Sequence, residues 1–306
     1  MPSKAVAAPA RTAATTEHTA TIGSLTKRAT TRKATGPSRR RRAGQDVGGY
    51  ILNVVPSRNT EQDWTFADGV AAGAAAGPVA LPPSVDLRQG WWSINNQEAT
   101  GSCVGWATAD GVLRQMFVAA GRLGEGDLLS PRYIWMAAKE TDSMQSRPET
   151  FIEGAGTTLK AAVDVARKFG AATMDDLPFR LDTTMYAGAE NAFYARCARL
   201  RIASYFNLRR NLGNWKLWLA QTGPILVALN VDASWDGAGQ TGGEIKDFQP
   251  DTVRGGHAVC IVGYREDGSF IVRNSWGTGW GDNGFGYLDP QYIADAFFDE
   301  AYGATL

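Results

Sequence analysis

The sequence predicts an α+β protein in two lobes, helices first and strands second, preceded by a long polar leader. Residues 1–44 carry ten Lys or Arg against one acid, Glu17, and almost no large apolar side chains. Such a stretch cannot bury enough surface to offset its ordering entropy and is expected to be disordered. Apolar residues then recur at helical spacing from Ser102 to Gln221, and continuous apolar runs bounded by turn residues follow from Ile225 onward. A chain of 306 residues suffices for a sizeable core.

The whole chain balances 31 basic against 31 acidic residues, so beyond residue 44 there remain 21 basic and 30 acidic, a net of −9. A basic arm precedes an acidic body. The leader lacks the apolar run of a secretory signal and only loosely matches a transit-peptide composition. No window is long and apolar enough for a membrane-spanning helix, so no membrane partner is expected, and the compartment stays open between cytoplasm and a non-classical export route. Three cysteines, Cys103, Cys197 and Cys260, do not make a disulfide framework. Cys197 and Cys260 are expected to be reduced core residues. The Arg39–Arg42 run is most simply a solubilising tail; a nucleic-acid or acidic-surface partner is its sharper reading.

Three stretches follow in order: a basic arm (1–44), a segment with its linker (45–80) and a folded body (81–306). The body divides into a helical lobe over about 90–195 and a β-rich lobe over about 196–306. Tyr50–Val55 is strand-like, and Gly69–Gly77 reads as a flexible small-residue linker. Trp106, Ala109, Leu113, Met116, Phe117 and Ala120 mark a helix ended by Gly121. Ser130-Pro131 is an N-cap and first-turn pair for a helix through Lys139. Thr157–Phe169 repeats the pattern up to Gly170, and Asn211–Gln221 gives a further helix stopped by Gly223. Ile225–Leu229, His257–Tyr264, Phe270–Arg273 and Phe285–Leu288 read as strands, with Arg265–Gly268 as a hairpin loop.

Thiol catalysis needs a cysteine held as thiolate, a base in reach, a group that fixes the base, and donors for an oxyanion. The body has one histidine, His257, since His18 lies in the basic arm. Cys103 stands at the expected start of a helix, where unpaired N–H groups and a nearby imidazolium favour the thiolate.

With these residues the sequence resembles the papain-like cysteine peptidases. Leu81-Pro82-Pro83-Ser84-Val85-Asp86 looks like the start of that family's mature enzyme, and Gln97, six residues before Cys103, sits where the family places its oxyanion-hole glutamine. Gly255-Gly256-His257-Ala258-Val259 is similar to the histidine strand, and Asn274-Ser275-Trp276-Gly277 to the block in which an asparagine holds the histidine and a tryptophan shields their bond. The histidine lies 154 residues beyond the cysteine and the asparagine 171. The local pattern departs from the family's at Thr100 and Ala155, where a disulfide pair would stand, and at Val104 in place of an aromatic. Both halves of the bridge are missing together, so its loss is coherent.

The resemblance implies a papain-like fold with a helical lobe, a β-barrel-like lobe and an active cleft between them. It implies Cys103 as nucleophile, His257 as base, Asn274 as its orienter and Gln97 as oxyanion donor. Gly154, Ala155, Gly156, Gly256 and Trp276 would line the substrate cleft. The implied activity is hydrolysis of peptide bonds in peptide or protein substrates, without cofactor or metal, and with endopeptidase action favoured because a histidine-bearing exopeptidase insertion is missing. A Cys–His–Asn acyltransferase and a non-catalytic peptide-binding module are the alternatives. Residues 1–80 stand where a propeptide would, without a long amphipathic helix, and Gly48–Phe66 is expected to lie across the cleft as an extended, blocking strand.

Overall fold

The computed structural model describes residues 49–141, 154–180 and 189–306. The basic arm, with Gly48, lies outside them. Residues 51–57 belong to no helix or strand, and the chain bends at Arg58 and leads through a 3-10 turn, Thr60–Gln62, to a short helix α1, Phe66–Ala71. Strand β1 (Val85–Asp86) opens the body. A continuous helical run follows, made of α2 (Cys103–Trp106), a π-helical segment (Ala107–Leu113) and α3 (Arg114–Ala119). Next come α4 (Pro131–Thr141), α5 (Leu159–Lys168), α6 (Glu190–Cys197), β2 (Ser204–Asn207), α7 (Leu212–Gln221), β3 (Ile225–Val231), β4 (Glu244–Ile245), β5 (Gly255–Tyr264), β6 (Phe270–Arg273), β7 (Phe285–Leu288), α8 (Pro290–Ala296) and β8 (Phe297–Thr305).

The Ser130 cap expected from the sequence is in place, and the structure adds two more. Ser130 Oγ accepts from Tyr133 N at 3.2 Å, Thr158 Oγ1 from Ala161 N at 3.1 Å, and Asn211 Oδ1 from Asn214 N at 3.1 Å. The Arg265–Gly268 hairpin closes through Arg265 N to Ser269 O at 2.8 Å. All three cysteines are buried free thiols.

The strands form one sheet in the order β2-β8-β3-β5-β6-β7-β4, with β1 added to β5. All pairs are antiparallel except β4 with β7. The barrel-like lobe expected from the sequence is therefore corrected to an open sheet, because its end strands β2 and β4 do not pair with each other. Both faces are covered. Leu226, Ala258 and Cys260 pack with the helices on one side, while Val227, Val259 and Ile261 pack against Trp215, Trp218 and Tyr292 on the other. Hence β3 and β5 read as continuous apolar runs, each large side chain contributing about 1.5–3 kcal/mol by leaving water.

The linker reading of Gly69–Gly77 is corrected at its start. Thr65 and Asp68 form a capping box for α1. Phe66 is buried against Trp218, and a methyl group at Gly69 would stand 2.9 Å from the Phe206 ring. Close packing, not flexibility, explains that glycine.

A buried ionic cluster joins the two halves of the site. Asp110, in the π-helical segment, accepts from Arg114 at 3.2 Å and from Arg273 at 2.7 Å, all three side chains being nearly solvent-free. Arg273 also donates to Ser93 O at 2.6 Å and lies over the Trp92 ring. Arg273 immediately precedes Asn274, so the cluster fixes the helical run that carries Cys103 against the strand that delivers Asn274. Removing one partner of such a buried pair costs about 3–5 kcal/mol.

Candidate active site

His257 lies near the start of β5, paired with Leu229 of β3, and Asn274 follows the end of the neighbouring β6. Antiparallel pairing thus brings residues 17 apart in sequence side by side: His257 Nε2 and Asn274 Oδ1 are 2.8 Å apart. An amide oxygen can only accept, so the ring proton resides on Nε2 and Nδ1 keeps its lone pair. Asn274 Oδ1 also accepts from Ser275 N at 2.8 Å, which fixes the amide. His257 Nδ1 is buried without a hydrogen-bond partner.

Cys103 is the first residue of α2 and is fully buried. The backbone N–H groups of Ala258, the residue after His257, and of Val104 and Cys103 itself favour its thiolate form. Burial outweighs these contacts and pushes the thiol up to about 11, while it holds His257 down to about 4 against the opposing pull of Asn274. The thiolate–imidazolium pair expected from the sequence is therefore disfavoured in this arrangement, for the physical reason that the site is dry. Both groups rest neutral.

Gln97 is held beside Asn274. Its backbone N–H donates to Ser275 O at 2.8 Å, its Oε1 accepts from Ser275 Oγ at 2.8 Å, and its Nε2 donates to Thr100 O at 3.1 Å. A carboxamide nitrogen carries two protons, so one is left over. Trp276 covers the histidine, ring centroids 4.9 Å apart at 31°.

The leader lies along this site. Tyr50 stacks on the outer face of Trp276, centroids 4.8 Å apart at 6°, and its hydroxyl donates to Trp276 O at 3.0 Å. Val54 N donates to Gly256 O and Val55 N to Thr157 O, each at 3.1 Å. Asn53 Nδ2 donates to Gly154 O, and a methyl group at Gly156 would collide with the Asn53 carbonyl. Gly154, Ala155, Gly156, Gly256 and Trp276 thus line one groove, and residues 50–55 fill it. The segment forms no strand and turns 3-10 and then helical beyond Asn59, so the extended strand expected over Gly48–Phe66 is corrected to an irregular stretch held by two backbone hydrogen bonds, followed by a turn and a helix.

Several site residues had no signal in the sequence. Trp235 meets His257 edge-on at 5.9 Å and Trp276 at 5.7 Å. It is held by Tyr292 OH at 2.8 Å, which in turn donates to Asp232 at 3.0 Å. Phe298 closes the groove beside Gly256, 3.1 Å from where a side chain there would start. Both come from distant elements, and only the fold assembles them. Among the described residues no cluster of His, Cys, Asp or Glu could hold a metal ion, and no helix is long and apolar enough to cross a membrane.

Comparison with known proteins finds relatives among the cysteine peptidases. Macrodontain-1 from Ananas macrodontes is 28% identical over 212 residues, which cover 67% of this chain and 88% of that protein. An uncharacterized peptidase C1-like protein of Acanthamoeba polyphaga mimivirus is 30% identical over 155 residues, 47% of this chain; the match spans only about half of that relative, 49%. The crystal structure of xylellain, a cysteine protease from Xylella fastidiosa, superposes with a TM-score of 0.67 at 21% identity, covering 88% of this chain and 99% of that one. Procathepsin L 3 from the larval midgut of Tenebrio molitor gives 0.58 at 19% identity, covering 76% and 72%. At these identities the structural likeness is one of fold. Residues 81–294 match the sequence model described as papain family cysteine protease, and the chain belongs to that family.

Proposed function

We propose that the chain hydrolyses peptide bonds through Cys103, His257 and Asn274, and that its own residues 50–55 keep it closed until they leave the groove. The observation that carries the reading is the His257–Asn274 bond, which leaves the Nδ1 lone pair bare beside the strand that touches the Cys103 thiol.

In an open groove His257 Nδ1 takes the thiol proton and Cys103 Sγ bonds to the substrate carbonyl carbon. The oxyanion falls to the spare Nε2 proton of Gln97 and the Cys103 backbone N–H; one such donor is worth about 2.7–4 kcal/mol in a comparable hydrolase. The tetrahedral centre collapses, the C–N bond breaks, and the amine leaves with the proton from Nδ1. Water then attacks the thioester with His257 as base, and the acid and the free thiol are released. Asn274 holds the useful tautomer throughout, and Trp276 keeps water off the Nε2–Oδ1 bond. Substrates would be extended peptides that replace the leader on Gly154–Gly156 and Gly256. Internal cleavage of the substrate is the favoured mode.

The test is peptide hydrolysis read by mass spectrometry, comparing the full chain, a chain starting at Arg58 and the Cys103→Ala variant of each. Cleavage that rises on shortening and vanishes with Cys103→Ala is expected. Products joined to an added amine rather than to water would assign the chemistry to acyl transfer instead. No cleavage by any form, with Cys103 slow to alkylate in the shortened chain, would mean that the chain binds peptides without cutting them.

A further inference from the structure

One leader side chain is read by main chain alone, and it lies against Gly101, two residues before the nucleophile. Asn53 enters a niche whose walls are Gly101, Gly154, Ala155 and Gly156. A methyl group at Gly101 would stand 2.5 Å from Asn53 Nδ2 and 2.8 Å from Ala155 O, and one at Gly156 would stand 2.7 Å from Asn53 Oδ1. The niche is therefore narrow because its walls lack side chains, and it stays narrow because Trp135 Nε1 donates to Ala155 O at 2.9 Å and fixes that carbonyl. The carbonyl that takes the Asn53 amide proton is Gly154 O. Asn53 Oδ1 is buried and finds no donor. The niche thus asks for a short side chain that donates and gives nothing to one that accepts.

We infer that this niche sets the enzyme's side-chain preference: the substrate residue that lies over Gly101 and Gly156 is short and carries a hydrogen-bond donor, asparagine above all. The inference rests on the peptidase reading and gives that site a substrate class. The physical grounds are separate for each rejected type. Aspartate has the same shape but no donor, and it would bring a negative charge against the Gly154 carbonyl with desolvation unrelieved. Leucine leaves Gly154 O buried and unpaired. A site built to bond a polar group rejects analogues that lack it far better than an apolar pocket rejects a missing methylene.

Two measurements on the full-length chain test this. In the first, the Tyr50→Ala chain, whose leader is loosened at the end away from the niche, is given a peptide library with Asn, Asp, Leu or Arg at each position around the cut. A preference for Asn over Asp and Leu of roughly tenfold or more in kcat/KM, confined to one position, is expected. Cleavage with no such preference overturns the inference and leaves the peptidase reading intact. In the second, Asn53→Asp and Asn53→Leu are placed in the Cys103→Ala full chain, and hydrogen exchange at the Val54 and Val55 amides is followed. Exchange at least tenfold faster than with Asn53 is expected, and unchanged protection overturns the inference even if no peptide is ever cut.

Discussion

The two ends of the ordered leader are held to the body by different physics. Residues 50–55 lie in the groove on two backbone hydrogen bonds, one ring stack and one side-chain amide. Residues 57–71 are built into the body. Asp63 is almost fully buried, with Lys160 at 2.5 Å, Tyr302 OH at 2.7 Å and Asn207 Nδ2 at 3.2 Å. Ser57 N donates to Glu300 at 3.0 Å, Asn207 N to Trp64 O at 2.8 Å, and Phe66 fills a space beside Trp218 and Phe206. The first part is a plug and the second an anchor. A cover made this way opens by letting go at one end, without losing the other.

The largest effect expected belongs to the site beneath the plug. Cys103→Ala should lower peptide hydrolysis roughly a millionfold in a chain without the plug, as loss of a nucleophile does elsewhere, and leave the melting temperature nearly unchanged. Steady-state rates with calorimetry check both. A smaller loss would show that the acyl transfer runs through another group.

Next in size is the difference between two truncations. A chain starting at Arg58 loses the plug and the Ser57 end of the anchor but keeps Asp63 and Phe66, and should be active and nearly as stable as the full chain. A chain starting at Leu81 also loses Phe66 and Asp63, leaving Trp218, Phe206 and Lys160 without their partners. The Phe66 side chain alone is worth about 3–5 kcal/mol, so a drop in melting temperature on the order of 10 °C is expected. Equal stability of the two truncations would break the distinction between plug and anchor.

Much of this site was legible in the sequence. The body's lone histidine, the Asn274-Ser275-Trp276 block and Gln97 ahead of Cys103 are local patterns, and so are the apolar runs of β3, β5, β6 and β7. What escaped is what long-range contact decides. Strand β8 contains Asp299, Glu300 and Gly303, a poor strand signal by itself. Yet Glu300 is buried because the leader's Ser57 caps it, and Gly303 because a methyl group there would strike Trp218. Helix α1 hides in a small-residue stretch for the same reason. The π-helical segment interrupts what reads as one regular helix from Ser102 to Ala120. Its wider turn accompanies the approach of Gly111 to Cys260, where a methyl group would stand 2.8 Å from Cβ, and the turn of Asp110 toward Arg273. Neither partner is near in sequence.

The plug should respond to acid, with an effect of intermediate size. In the closed arrangement burial holds His257 down to about 4, against an ordinary 6.5, and an open groove that wets the ring would let it return toward the ordinary value. A group whose value is depressed in one state stabilises that state fully above the ordinary value and loses the contribution as pH falls toward the depressed one. Closure is thus favoured above about pH 6.5 and weakens progressively below it, because protonation of the imidazole requires the open, wet groove. Between pH 7 and pH 5 the closed-to-open ratio should fall on the order of twentyfold by this linkage. The quantity to measure is the rate of the full chain divided by that of the chain from Arg58 at each pH, since the division removes the intrinsic profile of the site. A ratio that stays flat from pH 7 to pH 5 would remove His257 as the coupled group.

The smallest effect probes the plug's outer end. Tyr50→Ala removes a stacked ring pair worth about 0.5–1.5 kcal/mol beyond its buried area, together with the hydroxyl that donates to Trp276 O and accepts from Asn96 Nδ2 at 3.2 Å. The full chain should then cut peptides a few-fold to about tenfold faster, with no change in melting temperature, because the anchor is untouched. Tyr50→Phe keeps the stack and loses only the hydroxyl, so its gain should be the smaller of the two. If instead Tyr50→Ala lowers the melting temperature as much as Phe66→Ala does, then plug and anchor unfold as one piece, and opening the groove would require the leader to leave as a whole.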